Sequence, residues 1–207
     1  MKSVKILRYS LLLIIISCSI PSFSQPVSDR AVVPVAVTLN QILRLNVTDG
    51  GNIEFVFNRI DQYQNGIPNS AIYDTRLTVA SSTAWELNMG AEDATFIGTD
   101  DPSNTLDLDY VGFQLTDAGN HTFGTEFIDA AGANAAAVGL ATYPVSVITS
   151  GAAPNGNAGD ITDNIIIINW ECNTAGLNTT TGNDALIDET VNPDRYVTNV
   201  LLDVEPN

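Results

Sequence analysis

Asn164-Ile165-Ile166-Ile167-Ile168-Asn169-Trp170 is the stretch whose reading decides the fold. β-Branched side chains lose rotamer freedom against the preceding turn of a helix but pack well on a pleated sheet. The run has few polar residues on either face. It therefore reads as a central strand covered on both sides. The rest of the chain is built from short apolar segments of the same kind.

On either side of that run the side chains alternate with a period of two. In Thr75-Arg76-Leu77-Thr78-Val79, Leu77 and Val79 oppose Arg76 and Thr78. Ala84 to Met89 sets Trp85, Leu87 and Met89 against Glu86 and Asn88. Thr105 to Leu115 reads as one strand, with Leu106, Leu108 and Tyr110 opposing Asp107 and Asp109. Tyr143 to Ile148 is a further strand. The chain ends on Asp194 to Glu205, where Tyr196, Thr198, Val200, Leu202 and Val204 share a face. Nearer the start, Val32 to Leu39 (VVPVAVTL) predicts a first strand, with Pro34 marking an edge position. Ile42 to Val47 and Ile53 to Phe57 flank Asp49-Gly50-Gly51-Asn52 and predict a hairpin turning at Asp49-Gly50. Tyr63-Gln64-Asn65-Gly66 reads as a second turn.

The one helical candidate is the alanine-rich Phe127 to Leu140, weakened by Gly132 and Gly139; it reads as one or two turns of helix or as a loop. Ser150 to Asp163 reads as the longest loop, either functional or mobile. Roughly ten short strands with turn signals between them predict an all-β, antiparallel β-sandwich of Greek-key-like type with little helix. No Pro- or Ser-rich linker divides it.

Both lysines, Lys2 and Lys5, stand in the first five residues, followed by Arg8. Ser10 to Ile20 is apolar, and Ser22-Phe23-Ser24 precedes Gln25. That order predicts a secretory signal peptide over 1–24 and a single sandwich domain over 25–207, because the apolar run is too short to span a membrane. After cleavage five arginines stand against 24 acids, a net charge of −19 where the whole chain has −16. Such a surface disfavours nucleic acid and anionic membranes, which need basic clusters. Cys18 offers a rival address: Ile15-Ile16-Ser17-Cys18 resembles a lipobox, whose cysteine would carry a lipid anchor. Cys172, beside Trp170, is then the one cysteine of the mature chain and reads as a buried small hydrophobe.

Trp85-Glu86-Leu87-Asn88 and Trp170-Glu171-Cys172-Asn173 share W-E-x-N, the mark either of a duplicated half-sandwich or of chance. At these tryptophans the chain resembles the WxL-type surface domains of bacterial cell envelopes. Trp85-Glu86-Leu87 matches W-x-L, and Trp170-Glu171-Cys172 departs at its last position. Residues 25 to 120 also resemble small secreted β-sandwich proteins of Bacteroidota-type bacteria. There a segment like Asp61 to Gly66 precedes a strand like Arg76 to Ser82, then a tryptophan strand. Both resemblances imply an exported surface protein with a structural, adhesive or envelope-polymer-binding role, and neither implies catalysis.

The candidate chemistry is sparse. Acidic and amide oxygens cluster at Glu92-Asp93, at Asp100-Asp101 with Ser103 and Asn104, at Asp160 with Asp163, and at Asp184 with Asp188-Glu189. Calcium takes six to eight such oxygens. Asp100, Asp101 and Asn104 are the leading metal candidates because they are compact and turn-forming. The bland reading is a solvated acidic loop, and no EF-hand spacing is present. Tyr63 is the candidate ligand-binding aromatic, while Trp85 and Trp170 fall on apolar faces that suit a core. Glu86 and Glu171 could flank a sugar as a carboxylate pair, or simply face solvent. There is no G-x-S-x-G elbow, and His121 is the sole histidine. Asn46, Asn120 and Asn178 begin N-glycosylation sequons.

These features predict an exported, non-enzymatic structural or adhesive surface protein, and a homo-polymer if the terminal strand 194–207 adds to a neighbour's sheet. The rival expectations are a carbohydrate- or envelope-polymer-binding module that uses calcium, and a secreted polysaccharide hydrolase.

Overall fold

The computed structural model describes residues 31–177, 185–188 and 190–207. The expected signal peptide, Cys18, the Asn178 sequon and the acids Asp184 and Glu189 lie outside them. The chain divides at Leu39/Asn40. Of the first unit, residues 31–39 are exposed and carry no strand. The second unit, Asn40–Asn207, holds every strand among the described residues and is an all-β, antiparallel, sandwich-like fold.

Its strands are β1 (Leu43–Asp49), β2 (Asp74–Ser81), β3 (Trp85–Ala91), β4 (Thr95–Gly98), β5 (Thr105–Asp107) and β6 (Val111–Asp117). There follow β7 (Phe127–Asp129), β8 (Val138–Gly139), β9 (Val145–Ser150), β10 (Gly159–Cys172), β11 (Tyr196–Val197) and β12 (Val200–Pro206). One sheet runs β1-β2-β10-β6-β8, a second β12-β3-β9-β7, and a short third β11-β4-β5. The first two bury one face each in a common core. Leu77, Val79, Phe113, Leu115, Ile166, Ile168 and Trp170 come from one side, and Trp85, Leu87, Met89, Phe127, Val147 and Ile148 from the other.

β10 is central, between β2 and β6, as its isoleucine run predicts. Its second face differs from expectation. Asn164, Ile166, Ile168, Trp170 and Cys172 are buried, whereas Ile165, Ile167 and Asn169 are only half-buried. One face meets the opposing sheet, and the other is less fully buried.

Several segments depart from the sequence expectation. Val32 to Leu39 is not a strand, because a strand exists only where a neighbour supplies the ladder. The hairpin at Asp49-Gly50 does not form, since β1 pairs with β2 instead. Gly50, at φ 65, turns the chain away, and its carbonyl accepts from Thr75 Oγ1 at 2.7 Å. Ile53 to Phe57 stays extended without a ladder, yet Ile53, Phe55 and Phe57 are half-buried and Glu54 and Val56 exposed.

The expected turn at Tyr63 to Gly66 is mostly helix, α1 (Ile60–Asn65). Gln62 Oε1 accepts the backbone N–H groups of Asn58 (2.9 Å) and Arg59 (3.0 Å), which have no partner within the helix. Gly66, at φ 76, closes the helix with a bond from its N–H to Gln62 O.

Phe127 to Leu140 is not helical. It yields β7 and β8 around a loop in which Asp129 accepts the N–H groups of Ala133 (2.9 Å) and Asn134 (2.6 Å). Thr105 to Leu115 is two strands. A 3-10 turn over Leu108–Tyr110 buries Leu108 and Tyr110 and passes the chain from the third sheet to the first.

Candidate functional site

The acidic loop between β4 and β5 is organised by a residue outside it. Pairing of Tyr196 with Gly98 brings the chain just before β11 against the loop. Asp194 then accepts from the N–H groups of Asp100 (3.0 Å), Asp101 (3.1 Å) and Arg195 (2.7 Å), and from Asn104 Nδ2 (2.9 Å). A side chain at Gly98 would collide with the Asp194 carboxylate. The Asn104 amide, together with these N–H groups, holds the Asp194 carboxyl down at about 2.

Asp101 closes a smaller turn. Its Oδ1 accepts Ser103 Oγ at 2.7 Å and Ser103 N at 2.9 Å, and these two bonds lower its pKa from the ordinary value. Asn104 Oδ1 in turn accepts from Asn192 Nδ2 at 2.7 Å. The three predicted metal residues therefore share one loop, but Asp101 Oδ1 and Asn104 Oδ1 face N–H and O–H donors. Asp100 contributes its backbone N–H. Among the described residues, no three His, Cys, Asp or Glu side chains lie together as a set able to hold a metal ion.

The other acidic clusters are used in the same way. Asp160 Oδ1 accepts from Thr162 N (2.6 Å) and Thr162 Oγ1 (2.7 Å), and Asp163 Oδ1 accepts from Asn120 Nδ2 (2.9 Å). Glu92 and Asp93 accept from Asn199 Nδ2 (2.7 Å) and Thr198 Oγ1 (3.1 Å). Asp163 ties a loop to β10, Glu92 and Asp93 join two loops, and Asp160 closes a local bond within β10.

Beside the acidic loop lies an open depression of about 320 Å³, lined by Asn104, Asp107, Tyr110, Thr190, Asn192 and Tyr196 among others. Tyr110 is buried, and the Tyr196 hydroxyl donates to Asn192 O at 2.7 Å. Tyr63 stands elsewhere, exposed on α1, with its ring edge-on to Phe57 at 5.3 Å. Trp85 and Trp170 are both core residues; their ring N–H groups donate to Asn157 O and Thr75 Oγ1, each at 2.9 Å. Glu86 and Glu171 lie on different sheets, each next to a buried tryptophan and so on the face opposite it. His121 is half-buried, with Nδ1 2.9 Å from Asn164 Oδ1.

A second feature lies at the sheet margins. β1 ends one sheet and β12 another. These two strands lie close together without a ladder between them. Gln41 Nε2 donates to Thr83 Oγ1 and Asn207 N to Ala84 O, each at 2.9 Å, so the start of β1 and the end of β12 meet the same turn. At their other ends Arg195 Nε reaches Glu54 Oε1 at 3.0 Å. Along this margin Leu43, Leu45, Val200, Leu202 and Val204 pack on the core but stay half-exposed. The remaining free edges among the described residues, β5, β7, β8 and β11, are two or three residues long.

No family model matches the chain, and no curated protein matches it. The fold places it among antiparallel β-sandwich-like proteins.

Proposed function

We propose that the protein is an exported structural or adhesive subunit of a bacterial surface, non-enzymatic, which associates with other subunits. The observation that carries this reading is the pair of seven-residue free edges, β1 and β12, with their half-exposed apolar row. Free edges of that length are templates for another strand, and sheets that do not use them tend to blunt them. The predicted export signal and the resemblance to envelope surface domains point the same way. Surface proteolysis of intact cells and sedimentation of the purified chain test it. Surface accessibility together with self-association is expected; a monomer retained in the cytoplasm overturns it.

A second reading is a carbohydrate- or envelope-polymer-binding module. The depression at Asn104, Asp107 and Tyr196 favours it, because amide and carboxylate groups beside a partly exposed tyrosine ring suit sugar hydroxyls and a ring face. A glycan array read with and without calcium tests it. Binding lost in Asn104→Ala with Asp107→Ala supports the second reading.

A further inference from the structure

We infer that Val32–Leu39 is a donor strand that adds to the free edge of β12 in a second copy of this chain. The inference rests on the subunit reading above and names the segment and edge that would join.

The segment is exposed where its composition favours burial. Val33, Val35, Val37 and Leu39 are 78%, 84%, 80% and 89% exposed. Their spacing puts all four on one face of an extended strand, with the smaller Pro34, Ala36 and Thr38 on the other. A strand of this pattern without a sheet leaves both its ladder groups and its apolar row in water.

Pro34 selects which side can pair. In a strand the N–H groups of alternate residues point to the same neighbour, and proline has none. Pairing through residues 33, 35, 37 and 39 leaves Pro34 turned away from the partner. Those four are the bulky residues, so ladder and apolar row agree.

Length selects the edge. Eight residues need a long acceptor, and among the described residues only β1 and β12 are free over seven. β1 slips register between Val47 and Asp49, whereas β12 runs on β3 without a break from Val200 to Pro206. β12 also presents the half-exposed row Val200, Leu202 and Val204. Val32–Leu39 carries no charge, so its addition to an acidic partner meets no direct like-charge pair at the edge residues Asp203 and Glu205. Adding the segment of one copy to β12 of the next leaves a free donor and a free acceptor at the ends. Such head-to-tail contacts build open chains.

Cross-linking between full chains tests this. All carry Cys18→Ser, and Cys172 stays silent because it is buried with its thiol pushed up to about 12. One batch carries Val35→Cys; the other carries a cysteine at Val200, Leu202 or Val204. Mixed under mild oxidation, they are expected to form a disulfide-linked pair for at least one β12 position. Val37→Pro, which removes a pairing N–H, is expected to lower the yield about tenfold or more, while Ala36→Pro leaves it unchanged. Both proline variants should melt as the parent does, since the segment lies outside the core. Absence of a cross-link to β12, or equal effects of the two prolines, overturns the inference. So does a cross-link formed within a doubly substituted chain at high dilution. Sedimentation separates the two failures. Oligomers that survive Val37→Pro keep the subunit reading and discard this donor, and a strictly monomeric parent chain discards both.

Discussion

Asn157 takes the place of a missing strand neighbour for Trp85. Its Oδ1 accepts Trp85 N and its Nδ2 donates to Trp85 O, both at 2.9 Å, and its own carbonyl accepts the indole N–H. The residue is fully buried in a segment whose Gly, Ala and Asn content reads only as loop. No local signal identifies it, because its partner is 72 residues away. Asn157→Ala leaves a buried N–H and a buried C=O unpaired, and should lower stability by about 2–4 kcal/mol in a denaturant titration. Asp194 is a similar case, since it meets the Asp100 loop from 94 residues away. Its carboxyl titrates at about 2 against an ordinary 3.8. A depressed carboxylate stabilises the fold above its unfolded pKa, and that contribution is lost as pH falls through the folded one. Asp194→Asn should therefore melt below the parent at pH 6, and the gap should close between pH 4 and pH 2. A gap that stays constant through that window would show that the charge of Asp194 plays no part.

Among the elements, β10 is the most legible and still not fully so. Its β-branched run specifies a strand, and its apolar content specifies a central place. Which face is the better covered depends on the sheet lying opposite. Ile168 is fully buried and Ile167 is not. Ile168→Ala should cost about 3–4 kcal/mol and Ile167→Ala clearly less, measured by the shift of a urea midpoint. Equal losses would contradict the one-sided core. Composition misplaces the helix for a local reason. Ala-rich Phe127 to Leu140 has the propensity, but Asp129 and the bonds of Asn134 to β6 hold it as a loop. Ile60 to Asn65 has the weaker composition and the better caps, which decide short helices.

Across the whole molecule, the excess of acid is the property with the longest reach. Only two ion pairs, Arg59–Asp61 and Arg195–Glu54, occur among the described residues, and both are exposed. Self-repulsion of the remaining acids is screened over about 10 Å at 0.1 M salt. Sodium chloride should therefore raise the melting temperature. In the acidic loop, N–H donors already hold Asp101 Oδ1 and the Asp194 carboxylate. At matched ionic strength calcium and sodium should act alike. A larger rise with calcium, lost in Asp100→Asn with Asp101→Asn, would place a metal site in that loop.

The all-β class, the strands β2, β3, β9, β10 and β12, the core placement of both tryptophans and the excess of acid are legible in the residues alone. Each follows from side-chain branching, from alternation with a period of two, or from a count, all of which act within a few residues. That β1 pairs with β2, and not with the segment after its turn, emerges only when the chain is folded. The same holds for the residues that organise the acidic loop and for the two long strands, β1 and β12, left with a free edge. Those outcomes depend on which distant segment supplies the hydrogen-bond partner. Many segments of an alternating, β-branched chain can fill that role equally well, so local sequence cannot choose among them.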